Sequence, residues 1–133
     1  MQQLTQEILR LCREYGECRM EEARRVKNAL ESVCAMARQR LDISDPALLL
    51  ALLDACEVTR DEGMLQEVLD VVGRNLDRLA VSAESVKLLA CCYYYVEEEE
   101  CVERAGRMLE ELRKMGRGEE ELADAETILE ELT

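Results

Sequence analysis

The chain has 133 residues, the size of one ordinary domain; at 48% hydrophobic and 35% charged it is too apolar to be a disordered tail. Asp54 and Glu57 interrupt its longest apolar run, and no basic stretch leads into an apolar core at the N-terminus, so neither a membrane span nor a signal peptide is read. The formal charge of −13 is uneven: net +2 over residues 1–41, −6 over 42–96 and −9 over 97–133, a field that repels phosphate backbones and makes direct nucleic-acid binding an unfavoured expectation.

Nearly every segment carries a 3.6-residue apolar period and none alternates as a half-buried strand does. In the first segment Leu4, Ile8, Leu11, Cys12 and Tyr15 share a face, and Gly16 is expected to end it. The second runs over 19–41, with Ala23, Val26, Leu30, Val33, Ala37 and Leu41 stepping by three and four. Asp45-Pro46 then marks a helix start, Asp45 as the capping acceptor and Pro46 at the first helical position. The third helix, 46–60, is apolar almost all round, which predicts neighbours on several sides. A break is expected at Asp61-Glu62-Gly63. A fourth helix then spans 64–79, with Met64, Leu65, Val68, Leu69, Val71, Val72 and Leu76 inward.

Ser82 or Ser85 caps a fifth helix that runs to about Glu98. The sixth spans 100–115 and stops at Gly116-Arg117-Gly118, since glycine takes the left-handed conformation favoured at helix ends. The seventh, 119–132, opens on Glu119, Glu120 and Glu121, charges suited to a helix N-terminus. The expected organisation is a single α-helical domain over 1–133. It consists of an N-terminal hairpin (1–41), hairpins at 46–79 and 83–115, and a capping helix at 119–132.

Shifted by 37 residues, the third and fourth helices overlay the fifth and sixth: Leu52 falls on Leu89, Ala55 on Cys92, Val58 on Tyr95, Leu65 on Val102, Val68 on Ala105 and Val72 on Leu109. A period in the thirties with two helices per unit signals a stacked array in which each unit covers its neighbour's apolar face. Glu103 to Gly116 resembles the second helix of a tetratricopeptide or pentatricopeptide hairpin. Ala105 stands at the small residue of the helix crossing, Leu109 and Leu112 at the following core positions, and Gly116 at the pentatricopeptide terminal glycine. Leu52-Leu53-Asp54-Ala55-Cys56 is similar to their first helix. The glycine between large aromatics of tetratricopeptides is absent, and 37 residues exceeds their usual unit of about 34. The resemblance implies an all-α, short right-handed array of antiparallel helical hairpins.

Seven cysteines, Cys12, Cys18, Cys34, Cys56, Cys91, Cys92 and Cys101, form no C-x-x-C pair. Most fall on apolar stripes, where cysteine acts as a small hydrophobe, so buried free thiols in a reducing intracellular compartment are expected; a redox pair or metal ligation is the alternative. No cofactor or metal site is read.

The segment Tyr93-Tyr94-Tyr95-Val96-Glu97-Glu98-Glu99-Glu100 is the candidate partner-binding site. Three successive helical residues spread over about 200°, so the tyrosines cannot all face one core. Tyrosine is enriched at binding hot spots, and four carboxylates attract Lys or Arg. The plainer reading has one tyrosine buried and the glutamates solvated in a turn. A basic patch of Arg10, Arg13, Arg19, Arg24, Arg25 and Lys27 is a second candidate, its alternative being pairs with Glu14, Glu21 and Glu22. Asp54 and Glu57 are expected at a solvent-exposed helix end; if buried, they would need a partner such as Arg74 or Lys87.

Catalysis is disfavoured. Histidine is absent, and no phosphate-binding glycine loop, nucleophile elbow or metal pair occurs. The expected function is an acidic helical-repeat adaptor or chaperone-like scaffold holding a basic or amphipathic protein segment. Two alternatives are a pentatricopeptide-like component of an organellar RNA-processing assembly and a self-associating structural domain.

Overall fold

The computed structural model describes residues 2–116 and 118–133, and these are mostly helical, with no strand among them. Seven α-helices follow in order: α1 (Gln2–Glu17), α2 (Met20–Arg38), α3 (Pro46–Thr59), α4 (Glu62–Arg74), α5 (Ala83–Val96), α6 (Glu99–Met115) and α7 (Glu119–Leu132), with a 3₁₀ turn at Leu76–Arg78. Arg117, inside the expected glycine stop, lies outside the described residues. None of the described helices is long and apolar enough to cross a membrane.

The chain forms two compact units, Met1–Val71 and Val72–Thr133, whose boundary falls inside α4 and so within the segment 46–79. In the first, α1 packs on both α2 and α3, and α2 also touches α3. Its core is Ile8 and Leu11 of α1, Val26, Leu30 and Ala37 of α2, and Leu48, Leu49, Leu52 and Leu53 of α3. In the second, α5 packs on both α6 and α7, and α6 touches α7. Its core is Leu88, Leu89 and Cys92 of α5, Ala105, Met108 and Leu109 of α6, and Ala125 and Leu129 of α7. Each such leucine withdrawn from water contributes about 2 kcal/mol before entropy is counted.

Helix ends follow local chemistry. Asp45 accepts the Leu48 amide at 3.2 Å, and Pro46 takes the first helical position. Ser82 accepts the Ser85 amide at 3.1 Å and donates its own hydroxyl proton to Ser85, whose side chain is fully buried. Gly116 closes α6 with φ 66°.

Several boundaries differ from the pattern reading, most of all at the fourth helix, expected to reach 79, which ends at Arg74 ahead of the 3₁₀ turn, while the fifth ends at Val96. Gly16 stays helical and α1 ends at Glu17, because a lone glycine lowers helix stability without stopping it. The second helix stops at Arg38, short of 41: Asp42 accepts the Ser44 amide at 3.1 Å and Asp45 N–H donates to the Asp42 carbonyl, turning the chain away from the axis. The expected break at Asp61-Glu62-Gly63 lies instead at Arg60-Asp61. Arg60 is left-handed with φ 58°, and Asp61 accepts the Met64 amide at 3.0 Å, so Glu62 and Gly63 open α4.

Under the 37-residue shift α3 and α5 agree in length and ends, whereas α4 has 13 residues and α6 has 17. Both α3 and α5 have 14 residues, a side-chain cap on the residue before them (Asp45, Ser82), and a left-handed residue after them (Arg60, Glu97). Buried Leu49, Ala51, Leu52, Leu53 and Ala55 correspond to buried Val86, Leu88, Leu89, Ala90 and Cys92. The start of α4 at Glu62 maps onto that of α6 at Glu99, and buried Met64, Val68 and Val72 map onto buried Cys101, Ala105 and Leu109. Helix α7 also has 14 residues.

Candidate functional site

The tyrosine run ends α5. Because the helix starts at Ala83 with its buried stripe through Leu88, Leu89 and Cys92, its phase turns Tyr94 outward: this ring is 60% exposed, whereas Tyr93 and Tyr95 are half-buried. The rings of Tyr94 and Tyr95 meet edge to face, centroids 5.2 Å apart and planes at 82°. Val96 beside them is 40% exposed, which adds apolar surface to the same helix end.

The four glutamates build the turn into α6. Glu97 is the left-handed closing residue of α5, with φ 52°, and its amide donates to the Tyr93 carbonyl at 2.8 Å. Glu98 precedes α6 without capping it through its side chain, while Glu99 and Glu100 lie in the first turn of α6, where the helix dipole favours negative charge. All four are exposed. Among the described residues, none of their carboxylates enters an ion pair or a side-chain hydrogen bond. Burial, then the carboxylates of Glu98 and Glu100, pushes the Cys101 thiol pKa up.

The equivalent turn between α3 and α4 has the same geometry and different chemistry. Shifted by 37 residues, Glu57 stands at Tyr94, Arg60 at Glu97, Asp61 at Glu98 and Gly63 at Glu100. Exposed Glu62 stands at Glu99 and is likewise without an ion pair among the described residues, but Asp61 is engaged. Asp61 caps α4 and accepts from Arg38 Nη1 at 3.0 Å, while Arg38 Nε and Nη2 donate to the two Glu67 carboxylate oxygens at 3.0 and 2.6 Å. The Arg38 hydrogen bonds hold the Glu67 carboxyl below its ordinary range. Gly63 is fitted to this arrangement, since a Cβ there would stand 3.3 Å from the Asp61 capping oxygen.

The basic residues of the first two helices do not converge in the same way. Arg10 pairs with Glu7 and, at 2.9 Å, with Glu14; Arg25 lies 3.8 Å from Glu22. Arg13, Arg19 and Arg24 are exposed and Lys27 is half-buried. Of the six, Arg10 and Arg25 are the ones that enter ion pairs among the described residues. A feature that the sequence pattern did not reveal is a groove of about 560 Å³ between α1 and α2, lined by Leu4, Val33 and Met36 with Gln39 and Arg40 at its rim.

Asp54 and Glu57 are exposed rather than buried. The surroundings of Asp54 are nonetheless apolar enough that desolvation, followed by the Glu57 charge, raises its carboxyl pKa. Lys87, a candidate partner for Asp54, instead pairs with Asp124 at 2.8 Å and ties α5 to α7; Arg113 does the same for α6 through Glu126 at 2.6 Å.

All seven cysteines are free thiols. Burial pushes the thiols of Cys34 and Cys56 up to about 12 and that of Cys12 to about 11. Among the described residues, no group of three Cys, Asp or Glu could hold a metal ion. No protein-family model matches the chain, and no curated protein or solved structure shows significant similarity to it.

Proposed function

We propose that the chain is a non-catalytic, acidic adaptor built from helical hairpins, and that the end of α5 and the following turn dock a basic amphipathic segment of a protein partner. The observation that carries this reading is the contrast between two turns of equal backbone geometry. The α3–α4 turn shows what the geometry requires: a left-handed residue and a capped helix start, with Asp61 engaged and Glu62, the counterpart of Glu99, exposed. The α5–α6 turn adds an exposed tyrosine and carries four successive glutamates, none of them paired among the described residues. Like charges so close repel and lower stability. A cationic partner relieves that repulsion, and the exposed Tyr94 ring supplies contact area of the kind found at hot spots.

The hairpin-array reading supports the same function, because stacked two-helix units present extended binding surfaces. The recurrence at 37 residues of the caps and length of α3 in α5, and of buried positions, favours that reading.

The test is fluorescence anisotropy with a labelled basic amphipathic peptide. Binding is expected to weaken as salt rises, and the Glu97→Gln/Glu98→Gln/Glu99→Gln/Glu100→Gln variant is expected to lose at least tenfold in affinity. Unchanged affinity in that variant overturns the site assignment. A gel shift with single-stranded RNA at physiological salt is expected to show no complex.

A further inference from the structure

Resting on that docking reading, we infer that the α5–α6 turn selects arginine over lysine in its partner, with the Tyr94 ring as the specificity-determining group. Carboxylates alone attract either cation, and the α3–α4 turn shows that this backbone accommodates a glutamate, Glu57, where Tyr94 stands. An aromatic ring at this position adds a flat face. The Tyr94 ring is 60% exposed, and Tyr95 stands against it at 82° with centroids 5.2 Å apart, so the ring is oriented before any partner arrives.

A guanidinium uses its face and its edge separately. Lying flat on the exposed Tyr94 ring, it directs its N–H fork sideways in its own plane, toward carboxylates flanking the ring. Glu97, three residues on, and Glu98 supply such carboxylates, neither engaged in a side-chain hydrogen bond among the described residues. An ammonium has no face. It is compact and strongly hydrated, and contact with the ring competes with contact to the carboxylates.

The experiment compares two amphipathic peptides of one sequence, with arginine or lysine at every cationic position, titrated against the full chain at physiological salt. The arginine peptide is expected to bind about five- to tenfold tighter. Tyr94→Leu, which keeps apolar bulk at an exposed site, is expected to weaken the arginine peptide more than the lysine peptide and so to reduce the preference below about twofold; Tyr94→Phe is expected to preserve it. Circular dichroism confirms that both variants are folded. Equal affinities in the parent chain, or a preference that survives Tyr94→Leu, overturn the inference and leave the docking reading standing. Binding of neither peptide overturns both.

Discussion

Arg60 and Glu97, 37 residues apart, adopt the same left-handed backbone conformation, φ 58° and 52°, each closing a 14-residue helix. A side chain in that conformation costs about 1–2 kcal/mol, and glycine avoids the clash. Arg60→Gly and Glu97→Gly are therefore each expected to raise unfolding free energy by about 0.5–1 kcal/mol, after the greater freedom of glycine in the unfolded chain is subtracted. Urea denaturation measures this. A loss of stability in both variants would show that the side chains make contacts worth more than the backbone relief. Glu97→Gly is also expected to weaken basic-peptide binding, which separates the turn's structural role from its recognition role.

The two helix caps are expected to differ in cost. Asp45→Ala removes one acceptor from the α3 amides, about 1 kcal/mol. Ser82→Ala removes the cap of α5 and also the hydroxyl that donates to the fully buried Ser85, which then has an unsatisfied oxygen. Its expected cost is larger, about 2–3 kcal/mol. Ser82→Ala/Ser85→Ala should recover part of the difference, and thermal denaturation of the three variants decides it.

Arg38 ties the end of α2 to Asp61 and Glu67, with about a third of its side chain exposed. Arg38→Ala is expected to cost about 1 kcal/mol at neutral pH, modest because the pairs are partly screened by water. Glu67 has its folded pKa lowered by Arg38 from an ordinary value of 4.5, so the pair's contribution is complete above that value. It fades as pH falls through the lowered folded pKa. Unfolding curves of parent and variant should converge in that acid range; a constant difference down to the lowest pH would assign the cost to lost packing of the arginine stem.

Thiol reactivity should follow burial. Cys34, Cys56, Cys92 and Cys101 are buried, and desolvation raises the pKa of each. Iodoacetamide at pH 8 is expected to leave these four unmodified in the native chain over times that alkylate half-buried Cys18. In urea all seven should react. Mass spectrometry of digests reads the pattern, and early labelling of Cys34 or Cys92 would indicate local opening of the cores around them.

The sequence pattern was most legible where one residue type has one local use. Asp45-Pro46 marked a helix start, Gly116 a helix end, and the spacing of Leu52, Leu89, Val68 and Ala105 the 37-residue correspondence. It was least legible where conformation leaves no compositional trace. Nothing in Arg60 or Glu97 announces a left-handed residue, so the α3–α4 break was displaced by its own capping aspartate. The tyrosine run guaranteed an outward ring, but only the phase of α5 picks Tyr94. Arg38 and its carboxylates lie 23 and 29 residues apart, and Lys87 reaches Asp124 rather than Asp54. Pairings at such range depend on which helices become neighbours.

Helices of 14 residues beginning at Pro46, Ala83 and Glu119 give the chain natural seams. A splice made just ahead of Asp45 or Ser82 carries each capping residue along with its own helix, so a graft or duplication cut there transfers a piece with its starting hydrogen bonds intact. The same excision moved by three residues beheads the helix it delivers. For anyone transplanting the Tyr94 turn into another scaffold, the segment from Ser82 to Gly116 is the piece to take.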